Sequence, residues 1–153
     1  MSVLLETSVG DIVIDTFFDK VPDASLNFIK LCKLKYYNDS PFFSIQSSFI
    51  ARTGNPHPST VSYPADTSIH CLCERTASES SSSPPPEQRL LTSRSCAALS
   101  LSHGRRGIVS FTATKGTKTA PDKLYGSQFF ITLSDGLGYL DDAGHMIFGG
   151  SPG

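Results

Sequence analysis

Residues 126–131 read Gly-Ser-Gln-Phe-Phe-Ile, and Thr132-Leu133 extend the run. From Gln128 onward the aromatic and β-branched side chains suit a pleated, packed strand. Working outward, Gly107-Ile-Val-Ser-Phe-Thr112 is a second strand of the same character. Residues 42–54, Phe-Phe-Ser-Ile-Gln-Ser-Ser-Phe-Ile-Ala-Arg-Thr-Gly, read as a hairpin turning at Ser47-Ser48. A further hairpin is expected nearer the N-terminus, with strands over 3–7 and 12–17 and Gly10-Asp11 between them. Pro22 suits the first turn of a helix, where its missing N–H costs nothing. Ala24, Phe28, Leu31 and Cys32 follow at helical spacing, and Asp23 sits at the positive end of the helix dipole. Strands outnumber helices and no βαβ alternation occurs. The chain is therefore expected to be mainly β, an antiparallel sheet or barrel with one covering helix.

Length and composition bound the function. A chain of 153 residues fits one domain, and 39% hydrophobic residues allow a packed core. A formal net charge of −1 gives no reason to expect nucleic acid or an anionic membrane as a partner. The start, Met-Ser-Val-Leu-Leu-Glu6, lacks the pattern of a secretory signal, so a nuclear or cytoplasmic location is expected. No metal or other cofactor is expected. His70, Cys71, Cys73, Cys96 and His103 can be drawn as a zinc site, but a C-x-C pair lacks the usual ligand gap. Reduced thiols are the simpler reading of the cysteines.

The middle of the chain differs in kind. Twelve of the residues from 57 to 103 are serine, and the run includes Ser80-Ser-Ser-Ser-Pro-Pro-Pro86. Such a segment cannot bury enough apolar surface to offset the entropy of ordering it. Residues 57–106 are expected to be a disordered, Ser/Pro-rich insert that splits the domain into 1–56 and 107–150, with 151–153 a tail.

Several strings now align with one family in fixed order. Lys20-Val21-Pro22 with Asn27-Phe28 and Leu31, then Tyr37 with Phe42, Phe49 and Gly54, resemble the first helix and catalytic hairpin of the cyclophilins. Gly107-Ile-Val-Ser110, Gly126-Ser-Gln-Phe-Phe-Ile131, and Tyr139-Leu-Asp141 with His145 and Phe148-Gly149 complete the series. The opening Val3…Asp15, the Tyr36-Tyr37 pair and Tyr139 in place of tryptophan resemble nuclear members that carry a downstream RNA-recognition domain. The resemblance implies a cyclophilin-like antiparallel barrel and peptidyl-prolyl cis-trans isomerase activity. It also implies proline-containing peptides or proteins as partners. The family continues past Phe-Gly with another helix and a closing strand. Without them, a monomer with open barrel edges prone to aggregation is expected.

Isomerising an X–Pro bond means rotating an amide through a barrier of about 18–20 kcal/mol, because resonance is lost halfway. An enzyme must bind the twisted amide better than the planar one. By resemblance Phe49, Gln128, Phe130, Leu140 and His145 line the proline site, with Tyr139 at the rim and Thr112 and Ala113 beside it. The position of the family's catalytic arginine is held by Ser44, which cannot deliver a guanidinium, so weak isomerase activity is expected; the pocket glutamine's position is held by Arg52. Were the 42–54 hairpin to turn through residues 47–49, Ser44 and Arg52 would stand opposite and share a face, bringing the guanidinium to the pocket. A two-residue turn would pair Phe43 with Arg52 instead. Residues 115–125 are expected to form an exposed flap. A hydrolase built from Ser127, His145 and Asp141 is disfavoured, since no G-x-S-x-G elbow surrounds Ser127. Two other readings remain: a non-catalytic module that binds proline segments, and a non-functional truncated fragment.

Overall fold

The computed structural model describes residues 1–54, 91–92, 101–114 and 124–152. In chain order these form β1 (Ser2–Thr7), β2 (Gly10–Thr16), α1 (Pro22–Lys33), β3 (Ser44–Ile45), β4 (Ile50–Thr53) and β5 (Leu91–Thr92). They continue with β6 (Ile108–Thr114), β7 (Leu124–Thr132), a 3₁₀ helix (Gly138–Asp141) and β8 (Met146–Gly150). The strands join in one antiparallel sheet, ordered β1-β2-β8-β6-β7-β4-β3, with β5 pairing to β7. A curled, mainly β half-barrel with a single α-helix is the architecture the sequence leads one to expect.

The helix begins and ends where local chemistry dictates. Pro22 opens α1, Asp23 lies in its first turn, and Lys30 and Lys33 lie in its last. Its C-terminus closes in a Schellman motif. Lys35 takes a left-handed φ of 56°, while the N–H groups of Lys35 and Tyr36 donate to the Cys32 and Leu31 carbonyls. Ala24, Phe28 and Leu31 face the sheet, where Phe28 meets Phe129, Phe148 and Tyr37. Phe111 stacks on Phe148 with centroids 4.3 Å apart, which ties β6 to β8 inside the same core.

Three expectations are corrected by the backbone. The first hairpin turns at Ser8-Val9, and Gly10-Asp11 belongs to β2. Gly10, at φ 140°, supplies the conformation needed to leave the turn, so the glycine sits at its end. The second boundary error concerns the insert. Residues 101–106 are part of the folded body, with His103 1% exposed and the Arg105 carbonyl accepting from Thr132 Oγ1. Leu91-Thr92 likewise pairs with β7. Polar composition hid these anchors because their partners are distant in sequence. The third concerns the flap. Leu124 and Tyr125 are in β7, with Tyr125 buried and its hydroxyl 2.5 Å from the Gly144 carbonyl. The rest of the flap, the bulk of the insert, Cys71, Cys73, Cys96 and His70 lie outside the described residues.

Candidate active site

Alternation along β7 sends neighbouring side chains to opposite faces of the sheet. Phe129 enters the inner core, and Phe130 joins a separate cluster with Ile50, Leu137, Leu140 and the partly buried Phe49. Phe49, Phe130 and Leu140 come from three segments yet share this one apolar patch. Tyr139 is exposed and lies parallel to Phe49, with centroids 6.3 Å apart, forming a rim. Leu140 stays buried beside it because the 3₁₀ helix points consecutive residues in different directions.

The hairpin of β3 and β4 turns through residues 47–49, one residue more than the Ser47-Ser48 turn expected from sequence. Its register sets Ser44 opposite Arg52 and Ile45 opposite Ala51. Ser48, at the turn, adopts a left-handed φ of 58°. In the next ladder Arg52 stands opposite Phe130, and in the one after Phe130 stands opposite Ser110. One row therefore runs Ser44, Arg52, Phe130, Ser110 across four strands, on the face that carries the apolar patch. Arg52 is half-buried, and its Nε is buried with no hydrogen-bond partner among the described residues. Gly54 follows at φ 104°, where an added Cβ would lie 2.4 Å from the Ser127 carbonyl oxygen. Only glycine allows β4 to leave so close to β7.

His145 lies on the other side of Phe130, ring edge to face, with centroids 5.0 Å apart. Its Nδ1 accepts the Ala113 backbone N–H at 3.0 Å, so the neutral ring carries its proton on Nε2. Ala113 thus acts through its backbone, while Thr112 is buried with its hydroxyl unpaired among the described residues. Gln128 is half-buried on the same face as Phe130.

The structure adds to the sequence reading at His103 and at Ser127. His103, considered above only as a zinc candidate, is held to Asp141 by Nδ1 at 2.5 Å and by its backbone N–H at 2.9 Å. Its one sequence signal was its place four residues before the strand that starts the second half. Burial alone would raise the Asp141 carboxyl, but the Ser102 hydroxyl and the His103 N–H groups outweigh it and hold the carboxyl below its ordinary value. Ser127 is the other case. It faces inward, donates to the Gly54 carbonyl and accepts from the Tyr36 hydroxyl, while Tyr37 donates to its carbonyl. It lies on the opposite side of the sheet from His145, which removes the hydrolase arrangement. Burial pushes Tyr37 well above the usual phenol value, with Cys32 and Tyr36 adding to it, and pushes the Cys32 thiol to about 12.

A cavity of about 670 Å³ lies elsewhere, beside β1, lined among others by Leu5, Cys32, Tyr37, Phe42 and Phe129. None of Phe49, Phe130 and Leu140 borders it. Among the described residues no group of three His, Cys, Asp or Glu side chains could hold a metal, and no helix is long and apolar enough to cross a membrane.

Residues 2–150 match the family model described as cyclophilin type peptidyl-prolyl cis-trans isomerase/CLD. The chain is 41% identical over 150 residues to peptidyl-prolyl cis-trans isomerase-like 4 of Emericella nidulans, a match covering 97% of this chain and 30% of that protein. It is 41% identical over 149 residues to peptidyl-prolyl cis-trans isomerase sig-7 of Caenorhabditis elegans, with the same two coverages. The chain thus spans about 30% of the length of these curated relatives. Among solved structures, a Cryptosporidium parvum cyclophilin type peptidyl-prolyl cis-trans isomerase in the presence of the dipeptide Ala-Pro superposes with a TM-score of 0.64. It is 27% identical, and the match covers 100% of this chain and 79% of that one.

Proposed function

The chain belongs to the cyclophilin-type peptidyl-prolyl cis-trans isomerase family, and from that premise we propose that it isomerises X–Pro bonds with Arg52 as its donor. The observation that carries this is the cross-strand row in which Arg52 stands between Ser44 and Phe130 on the face of the apolar patch. Phe49, Phe130 and Leu140 grip the proline ring and exclude water. Tyr139 and Gln128 flank the substrate backbone, and His145, braced by the Ala113 N–H, closes the far side.

As the X–Pro amide twists, its nitrogen regains a lone pair that the planar form lacks. A donor aimed at that nitrogen is stronger in the transition state than in the ground state, which is the condition for catalysis. The guanidinium is permanently charged and carries five N–H donors, so it serves without a proton transfer. Ser44 has no such group. Rotation about one bond needs no nucleophile, metal or other cofactor, and the scheme uses none.

The same premise extends to subgroup and setting. The Val3…Asp15 opening, Tyr36-Tyr37 and Tyr139 support a place among nuclear members that carry an RNA-recognition domain, acting on proline-containing protein segments. A nuclear or cytoplasmic location goes with that reading. The serine at position 44 favours a second function, a non-catalytic module that binds proline segments. Exchange spectroscopy on an Ala-Pro peptide separates the two. Faster cis–trans exchange in the presence of the chain supports the isomerase. Peptide shifts with unchanged exchange would leave only the binder.

A further inference from the structure

His103 has no part in the scheme above, yet it is among the most enclosed polar residues described, at 1% exposure. Its ring lies nearly parallel to Phe130, 23° between planes and 5.7 Å between centroids. Its other neighbour is His145, met edge to face at 6.3 Å. With the Phe130–His145 contact at 5.0 Å, three rings close a triangle behind the apolar patch.

This triangle is tied to the element that presents the opposite wall. Asp141 is the last residue of the 3₁₀ helix that carries Tyr139 and Leu140. Its Oδ1 accepts from His103 Nδ1 and from the His103 backbone N–H, while its Oδ2 accepts from Ser102 Oγ at 2.7 Å. Two more bonds join the same pair of segments. The Gly136 N–H donates to the Gly104 carbonyl at 3.0 Å, and the Arg106 N–H donates to Asp135 Oδ1 at 2.8 Å. The 101–106 segment is therefore laced to the loop before the 3₁₀ helix at one end and to the helix itself at the other.

The residue type matters. A phenylalanine at 103 would stack on Phe130 but give Asp141 no side-chain donor; an asparagine would donate but leave the ring face of Phe130 uncovered. Histidine does both. It also leaves Nε2 buried without a partner among the described residues, a cost that an apolar ring in a simple packing role would avoid.

We propose that Ser102, His103 and Asp141 form a clasp that positions Leu140 and Tyr139 against Phe49 and Phe130, making His103 and Asp141 positioning residues for the grip on proline. This rests on the isomerase reading for its purpose, and on the geometry alone for its existence. Because the clasp sets the distance between two walls, its loss weakens substrate binding. Arg52 sits on β4, outside the clasp, so the donor's action on bound substrate is left largely intact.

The test compares the full chain with Asp141→Asn and His103→Phe, each first checked for a cooperative melt and dispersed NMR signals. Ala-Pro peptide affinity is expected to weaken about tenfold, since small misplacements of positioning groups are costly. Exchange at saturating peptide is expected to stay within about twofold of the parent, the split between binding and rate that marks a positioning role. Without peptide, the nuclear Overhauser contacts between the Leu140 methyls and the Phe130 ring are expected to fade in both variants. Asp141→Glu is expected to recover part of both readouts, as a merely destabilising site would not. Folded variants with parental affinity and intact Leu140–Phe130 contacts would overturn the clasp. Should His103→Phe not fold, Ser102→Ala replaces it, at an exposed position and with the same expected direction. A parent chain that binds peptide without accelerating exchange defeats the isomerase reading, while the clasp is still judged by affinity and by the methyl contacts.

Discussion

Phe129 and Phe130 are adjacent in sequence and equally buried, at 1% exposure each, yet they belong to two different bodies of packing. Phe129 points into a core assembled from β2, α1, β6, β7 and β8, where it meets Phe28, Tyr37 and Phe148. Phe130 points outward into a small cluster made by β4 and the 3₁₀ helix, bordered by the half-buried Arg52 and His145. The inner cluster is the larger, and the buried Ser127 on its side is held by hydrogen bonds to Gly54 and Tyr36. The outer one is small and faces groups able to donate hydrogen bonds. One sheet therefore divides the main packing core from a smaller patch that borders Arg52 and His145.

The largest expected effect is the one that tests this division most directly. Phe129→Ala should cost about 3–5 kcal/mol, a typical loss for a fully buried aromatic, and in a half-barrel of this size that abolishes a cooperative melt. Phe130→Ala should lower the melting midpoint by less, while removing Ala-Pro peptide binding. Equal loss of stability in both variants, measured by calorimetry, would break the distinction between the two faces.

Next in size is the donor. Arg52→Ala should reduce saturating turnover about 10²–10³-fold, the cost of removing one preorganised transition-state donor. Ser44→Arg in that background should restore much of it, because the two positions share a face and directly oppose each other. Exchange rates on a prolyl peptide measure both. Unchanged turnover in Arg52→Ala would remove the donor from β4.

A smaller effect concerns pH. Asp141 titrates below its ordinary value of 3.8 in the folded chain, so the folded state binds that proton less readily than the unfolded state. The stability it contributes is present above the unfolded value and is lost as pH falls through the folded one. Chemical denaturation of Asp141→Asn and the parent should therefore differ at neutral pH and converge as the pH falls below the ordinary carboxylate range. A gap that persists into acid would assign the cost to packing rather than to charge.

The smallest effect is at Cys32, on the inner side. With its thiol near 12, only about one in ten thousand is ionised at pH 8, and the thiolate is the reactive species. Alkylation by iodoacetamide should be far slower in the folded chain than after unfolding. Equal rates would mean that α1 does not shield the inner cluster.

The sequence carried the elements whose cause is local. Pro22 and Asp23 mark the helix start, the β-branched runs mark β1, β2 and β6, and the Gly-Ser-Gln-Phe-Phe string marks the strand that divides the two faces. It also named Phe49, Phe130 and Leu140, because short motifs in fixed order survive even when a long polar segment separates them. Where Ser44 and Arg52 stand relative to each other was left open between two turn lengths, because a one-residue change in a hairpin loop is not written in residue preferences. His103 was hidden further still. Its partners Phe130, His145 and Asp141 lie 27 to 42 residues along the chain, and its own neighbourhood reads as polar filler. Tertiary structure decided these points for one physical reason: cross-strand register and long-range side-chain contacts depend on how distant segments meet, whereas propensity and capping act within a few residues of their cause.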